Sequence, residues 1–142
     1  MNALVVYDST HGNTEKIAQA IGNAIGGQVL QTDDVDPAAL KEFDLLIVGS
    51  PTHGGFPTEG IHSLLKAPLA LEGIHVAAFD TRTKRSIFGY AAPKIARSLE
   101  RNGGNLLAPP EGFFVLGVRG PLRDEELERA AGWAKGLAER KG

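Results

Sequence analysis

Residues 3–25 have the sequence ALVVYDSTHGNTEKIAQAIGNAI, and two different hydrophobic periods meet in this stretch. Residues 3–7 form an uninterrupted apolar run rich in β-branched side chains, which is typical of a strand buried on both faces. The apolar residues that follow recur four apart and predict one buried stripe along a helix: Ile17, Ile21 and Ile25. Gly26-Gly27 predicts the end of that helix. The stretch therefore predicts a strand, a loop and a helix in succession.

The same alternation continues to the end of the chain. Further strands are predicted at residues 28–31, 45–48, 74–79 and 113–118, with a short additional pairing at Leu106-Leu107. Helices are predicted around residues 61–65, 92–99 and 123–139. Because strands and helices alternate with short connections, the strands should be parallel and the helices should cover both faces of the sheet. We therefore predict one α/β domain over residues 1–142, a three-layer α/β/α sandwich whose five-stranded parallel sheet has the order 2-1-3-4-5.

The last predicted helix carries an acidic cluster and an alanine-rich stripe. The acids fall at its start, where the helix dipole favours negative charge: Asp124, Glu125, Glu126 and Glu128. The stripe is expected to be buried and consists of Leu127, Ala130, Ala131, Ala134 and Ala138. The acidic cluster therefore needs no functional explanation.

A sheet of this order binds ligands at the carboxyl ends of the strands beside the point where the strand order reverses. Those strands are here the first and the third along the chain. We therefore expect the functional residues in the loops that follow Asp8, Gly49 and Asp80.

The first of these loops is rich in hydroxyl side chains and opens a helix. Free backbone N–H groups and the positive end of the helix dipole together suit a phosphate dianion without any lysine. The alternative is that Gly12 or Asn13 merely caps the helix, for which a single hydroxyl would suffice. Three hydroxyl residues around a glycine exceed that need, so we predict a phosphate site made by Ser9, Thr10, His11, Gly12, Asn13 and Thr14.

Residues 5–18, VVYDSTHGNTEKIA, resemble the phosphate loop of flavodoxins, in which a strand, Thr/Ser-x-Thr/Ser-Gly-x-Thr and a helix follow one another. Ser9, Gly12 and Thr14 match that pattern. His11 stands where the family commonly has Thr or Ser, and its imidazole can still donate a hydrogen bond to phosphate. The resemblance extends over the whole chain and implies a flavodoxin-like fold of the short-chain type, bound flavin mononucleotide (FMN) and electron transfer.

The resemblance also implies that the second and third loops flank the flavin ring. In the second loop the candidate residues are Pro51, Thr52, His53, Gly54 and Gly55. A surface turn rich in Gly and Pro is the alternative, and the position of the loop after the third strand favours the flavin. In the third loop the candidates are Thr81, Arg82, Phe88 and Gly89. Phe88 or Tyr90 could stack on the ring, and ordinary packing at the start of a helix explains both aromatics equally well.

The third loop also carries a basic cluster of Arg82, Lys84 and Arg85. Positive charge beside a flavin stabilises its reduced anion by Coulomb attraction. We hypothesise a less negative reduction potential than in acidic flavodoxins, with Arg82 as the main contributor. A solvated loop is the alternative for Lys84 and Arg85.

Composition excludes several classes of function. The chain has no cysteine, which excludes disulfides and thiolate chemistry. Its net charge of −2 and pI near 6.1 argue against general nucleic-acid binding. No apolar run is long enough to span a membrane, and no motif predicts a metal or hydrolytic site, so no catalytic residue is assigned. We expect a cytoplasmic monomer or weak homodimer whose partners are redox proteins or a small electron donor or acceptor.

Two other functions are compatible with these patterns. The first is an FMN-dependent NAD(P)H or quinone oxidoreductase on the same fold. The second is a regulatory domain that binds a different phosphorylated ligand. Response-regulator chemistry needs clustered aspartates and Mg²⁺, and Asp8 alone does not supply that cluster.

Overall fold

The computed structural model describes residues 2–84 and 88–141. Its elements follow in the order β1 (Ala3–Tyr7), α1 (Asn13–Ile25), β2 (Gln28–Gln31), β3 (Leu45–Pro51), α2 (Glu59–Lys66), β4 (His75–Arg82), α3 (Ala91–Arg101), β5 (Asn105–Leu106), β6 (Glu111–Phe114) and α4 (Glu126–Lys141). Two short 3₁₀ turns, Thr32–Asp34 and Pro37–Glu42, join β2 to β3.

The strands form one parallel sheet with the order β2-β1-β3-β4-β5, and β6 extends it by pairing with the end of β4. Successive side chains of β1 point to opposite faces, which divides the core in two. Leu4 and Val6 pack with α2 and α3, whereas Val5 packs with α1 and α4. The predicted three-layer α/β/α sandwich and the order 2-1-3-4-5 are therefore confirmed.

The last strand differs from the prediction of a continuous strand over residues 113–118. The chain instead pairs with β4 in two short pieces, β5 beside its start and β6 beside its end. Pro109 and Pro110 lie between these pieces, and proline has no N–H to donate to a strand ladder. After Phe114 the chain turns back, because Val115 pairs antiparallel with Leu122.

Strands β3 and β4 are longer than predicted at their carboxyl ends. β3 continues to Pro51 and β4 to Arg82. Thr81 and Arg82 therefore project from the end of a strand, where their positions are fixed by pairing with β3 and β6, and do not belong to a free loop.

Helix α4 begins at Glu126, three residues after the predicted start at Arg123, and its buried stripe differs from the prediction. The residues of α4 that are buried against the core are Ala130, Ala134 and Leu137. Of the other predicted residues, Leu127 is 46% exposed, and Ala131 and Ala138 are half-buried. The expected burial of Leu127 is wrong because Glu126 occupies the inward position in the first turn. Its carboxylate accepts a hydrogen bond from the Phe114 backbone N–H at 2.7 Å and pairs with Arg129 at 2.8 Å.

This buried carboxylate should make the stability of the protein depend on acid pH. The hydrogen bond from Arg129, and then the one from the Phe114 N–H, hold the pKa of Glu126 below its usual range. A carboxyl whose pKa is lowered in the folded state stabilises it above the unfolded pKa, and that contribution is lost as pH falls through the folded pKa. We expect Glu126→Gln to lower the free energy of unfolding at pH 7 by about 1–3 kcal/mol.

Urea unfolding of both proteins between neutral pH and about pH 3 checks this expectation. The difference between wild type and Glu126→Gln should shrink as the carboxyl is protonated. A difference that stays constant over this range would mean that the charge of Glu126 does not contribute. Glu128→Gln, an exposed change in the same turn, is the matched control and should have little effect.

Candidate functional site

A pocket of about 400 Å³ opens at the carboxyl edge of the sheet, where β1, β3 and β4 end. Most of the predicted site residues line it: Thr10, His11, Asn13, Thr14, Pro51, Thr52, His53, Gly54, Thr81, Arg82 and Phe88. Four predicted residues are not among the lining residues, namely Ser9, Gly12, Gly55 and Gly89. Three residues that line it were not predicted: Thr83, Val115 and Val118.

Helix α1 begins beside this pocket without a side-chain cap. Its N-cap residue is Gly12, whose φ of 89° lies in the left-handed region that glycine adopts most readily. The Gly12 N–H donates to the Ser9 hydroxyl at 3.0 Å, which shapes the loop ahead of the helix. The side chain of Asn13 does not cap the helix, because it donates to the Arg119 carbonyl at 3.3 Å. The first turn of α1 is thus available to an anion.

The other two helices that begin at this edge are capped by side chains. Thr58 accepts from the Ile61 N–H at 3.4 Å at the start of α2. At the start of α3, Thr52 accepts from the Ala91 N–H at 3.1 Å, and the Asp80 carboxylate accepts from the Ala92 N–H at 2.9 Å. Among the three helices that the structure describes at this edge, α1 is therefore the one whose first turn is left to a ligand.

Two side-chain contacts join the loops around the pocket. The hydroxyls of Thr14 and Thr81 lie 2.8 Å apart and are buried, which ties the start of α1 to the end of β4. Thr10 Oγ1 lies 3.3 Å from His53 Nε2, which brings the first loop against the second. Side chains from the three predicted loops thus meet in one place.

The second loop contains a tight hairpin. His53 and Phe56 exchange two backbone hydrogen bonds, of 2.8 and 2.9 Å, and the turn between them has positive φ at both Gly54 and Gly55. A Cβ at Gly55 would lie 2.3 Å from the Phe88 carbonyl oxygen, so the hairpin and the third loop pack too closely for a side chain. The Lys94 ammonium donates to the Gly55 carbonyl and lies 4.0 Å from the centre of the Phe56 ring. The hairpin is therefore held in place from α3.

At the end of β4, Arg82 is paired with a fully buried carboxylate. Its guanidinium makes two hydrogen bonds to Asp80, at 2.6 and 2.8 Å, and lies 3.6 Å from the centre of the Tyr90 ring. A Cβ at Gly112 would lie 2.2 Å from Arg82 Nε, so the neighbouring strand must carry glycine there.

The hypothesis that Arg82 is the main contributor to a less negative reduction potential stays a prediction. Its guanidinium is paired with the buried Asp80 carboxylate, and a counter-charge so close weakens the field of a cation. Tyr90 lies against Arg82 and is not a lining residue, whereas Phe88 lines the pocket. Arg85, the third residue of the predicted basic cluster, lies outside the described residues.

A fourth segment completes the pocket and was missed because its valines suggested a strand. Residues 115–122 form a hairpin in which the Leu116 N–H donates to the Pro121 carbonyl at 2.9 Å. Gly120 has a φ of 97°, and a Cβ on it would lie 2.7 Å from the Asn13 amide. Gly117 and Gly120-Pro121 are turn residues, and they were the available indication of this hairpin.

Within residues 2–84 and 88–141, no three His, Cys, Asp or Glu side chains are grouped so that they could hold a metal ion. No helix in the same part of the chain is long and apolar enough to cross a membrane.

Comparison with known proteins gives consistent results. The family model described as Flavodoxin matches residues 5–133. A flavodoxin from Picosynechococcus is 49% identical over 50 residues, which is 32% of this chain and 29% of that protein. The crystal structure of oxidised flavodoxin 1 from Bacillus cereus matches 98% of both chains with a TM-score of 0.87 at 19% identity. A flavodoxin from the domain Archaea matches 99% of both chains with a TM-score of 0.84 at 28% identity.

Proposed function

Because this chain belongs to the flavodoxin family, we propose that its pocket binds FMN and that the protein transfers electrons by means of this cofactor. The observation that carries the proposal is the uncapped start of α1 at the pocket, beside two helices whose starts are capped. Backbone N–H groups at a helix N-terminus, combined with hydroxyl donors, are the donor set that a phosphate dianion needs.

The lining residues fit such a cofactor in charge and in shape. None of them is an aspartate or a glutamate, so no carboxylate faces a phosphate dianion from the pocket wall. The volume of about 400 Å³ falls within the usual range of small-ligand sites. Apolar surface from Pro51, Phe88, Val115 and Val118 is available to a flat ring.

Each part of the pocket has a distinct task in this proposal. The loop of Ser9, Thr10, His11, Gly12, Asn13 and Thr14 holds the phosphate through hydroxyl, imidazole and backbone donors. The hairpin of His53 to Phe56 and the end of β4 border the ring, with the hairpin held from α3 by Lys94. FMN supplies the redox chemistry when bound, and the protein supplies position, exclusion of water and electrostatics.

Visible absorption spectroscopy tests the proposal. The purified protein, freed of any ligand, is titrated with FMN and separately with riboflavin, which has the same ring and no phosphate. We expect perturbed flavin bands and an FMN affinity at least about 100-fold above that for riboflavin, because a bound phosphate contributes several charge-assisted hydrogen bonds. Failure of FMN to bind at micromolar concentration would refute the proposal.

Stepwise reduction with dithionite then separates electron transfer from the alternative enzyme. Reduction of the loaded protein in two resolved steps supports transfer of single electrons. Reduction in one two-electron step, together with steady turnover of NAD(P)H and a quinone, would favour the oxidoreductase. A cytoplasmic location and a monomeric or weakly dimeric state remain predictions.

A further inference from the structure

We propose that Thr81 is a positioning residue for the phosphate group of the cofactor: its hydroxyl donates to Thr14, so that the Thr14 hydroxyl in turn donates to the phosphate. The inference rests on the proposed FMN function and adds a residue of β4 to the phosphate end of the site. The family resemblance implies that Thr81 borders the flavin ring, whereas its contact with Thr14 favours the phosphate end.

The sheet fixes the position of Thr81. Its Cα is paired with Pro51 on β3 and with Phe113 on β6, and its carbonyl accepts a hydrogen bond from the Thr52 N–H at 2.9 Å. Side chains alternate along a strand, so Thr81 points to the same face as Phe79, which is the face that packs against α1. The Thr81 hydroxyl therefore reaches the first turn of α1 from a backbone that is held on both sides.

Thr14 is the hydroxyl residue of the first loop that is shielded from water. It is 1% exposed, whereas Ser9 is half-buried and Thr10 is exposed. Water can complete the hydrogen bonds of Ser9 and Thr10. The buried Thr14 hydroxyl depends instead on the protein, and the structure gives it Thr81 as a partner at 2.8 Å.

The number of protons in this pair decides the direction of its hydrogen bond. Each threonine hydroxyl carries one proton and two lone pairs. One proton lies between the two oxygens, so the pair keeps a second proton for another acceptor. A phosphate dianion only accepts. Because Thr14 lies on the helix turn that has no side-chain cap, its proton is the one directed to an anion there, and the proton between the oxygens comes from Thr81.

A chain of two hydroxyls strengthens phosphate binding in two ways. Thr81 holds the Thr14 hydroxyl in place before the ligand arrives, so less side-chain freedom is lost on binding. A hydroxyl that accepts a hydrogen bond is also polarised and becomes a better donor. Packing alone does not require this hydroxyl, because valine has nearly the same shape as threonine and a high strand propensity.

Thr81→Val and Thr81→Ser test the proposal, since valine removes the hydroxyl and serine restores it on a smaller side chain. The ligand-free proteins are titrated with FMN, with riboflavin and with inorganic phosphate, whose binding is followed by the rise in unfolding temperature. We expect Thr81→Val to bind FMN about 10-fold more weakly, to bind riboflavin within about 2-fold of the wild type and to lose most of the stabilisation by phosphate. Thr81→Ser should recover most of the FMN affinity.

Two further variants separate this role from a general role in stability. Thr32→Val removes a buried hydroxyl that donates to the Gly60 carbonyl at 3.4 Å, and Thr32 does not line the pocket. This matched control should leave the FMN affinity unchanged. In a Thr14→Val background, Thr81→Val should cause no further loss of FMN affinity, because Thr81 acts through Thr14.

The outcomes separate the two proposals. Equal losses of FMN and riboflavin affinity in Thr81→Val would mean that Thr81 serves the ring or the chain attached to it, and a further loss in the Thr14→Val background would mean direct contact with the phosphate. Either result, or an unchanged FMN affinity in Thr81→Val, overturns the positioning role and leaves the FMN function standing. A wild-type protein that takes up no FMN refutes the function and the positioning role together.

Discussion

Asp80→Asn is expected to lower the free energy of unfolding by about 3–5 kcal/mol, although the two side chains have nearly the same shape. The Asp80 carboxylate is fully buried and accepts two hydrogen bonds from Arg82 and one from the Ala92 N–H. Asparagine can still accept from the Ala92 N–H and leaves the largely buried guanidinium without its counter-charge. An unpaired buried charge costs more than the loss of a hydrogen bond alone.

The control for this variant removes both charges. Asp80→Asn combined with Arg82→Met should recover most of the lost stability, because methionine fills the same space over Gly112 and Tyr90 without a charge. Urea unfolding of the wild type, the single variant and the double variant measures the difference. If the double variant is as unstable as the single one, the defect comes from packing or from the start of α3, and the charge explanation is incorrect.

Much of the fold can be predicted from the spacing of the apolar residues along the sequence alone. The run at residues 3–7 and the stripe of Ile17, Ile21 and Ile25 specify a strand and a helix whose apolar surfaces need a sheet between two helix layers. The loop ahead of α1 could also be identified from the sequence as a candidate anion site, because Gly12 and the hydroxyls around it form one local segment whose chemistry does not depend on distant residues.

Several features that escaped prediction depend on contacts between distant parts of the chain. Val115 and Val118 have high strand propensity, and their hairpin is fixed by Asn13, which lies about a hundred residues earlier. Arg82 and Asp80 are two apart on one strand and therefore share a face, which the sequence alone could have shown. What makes their pairing possible is the missing side chain at Gly112 on the next strand.

The burial of Glu126 has the same kind of cause. An alanine-rich stripe predicts that Leu127 is buried, because burial normally follows hydrophobicity. Here the orphan N–H of Phe114, at the end of β6, needs an acceptor, and the carboxylate of Glu126 reaches it while bound to Arg129. A buried backbone donor without a partner is costly, so the polar side chain takes the inward position.

Thr10→Asp should weaken FMN binding by about 100-fold and leave riboflavin binding nearly unchanged. Thr10 lines the pocket three residues ahead of α1, so an added carboxylate there faces the proposed phosphate position. Two like charges about 5 Å apart, at an effective dielectric constant of about 20, repel each other by about 3 kcal/mol, which corresponds to about 100-fold in affinity. The same carboxylate lies near the positive end of the α1 dipole. The ligand-free variant should therefore be as stable as the wild type or more stable by up to about 1 kcal/mol.

Thr10→Asn is the matched control, because it removes the hydroxyl and its contact with His53 without adding charge. Fluorescence titration with FMN and riboflavin and urea unfolding of the ligand-free proteins supply the measurements. Equal losses for FMN and riboflavin would place the phosphate away from Thr10, and equal losses in the Asn and Asp variants would assign the effect to the hydroxyl. The expected result is that Thr10→Asp loses FMN affinity while its riboflavin affinity and its free energy of unfolding are not lowered. This result requires an anion site at the start of α1, because a general defect in folding would lower both affinities and the free energy of unfolding together.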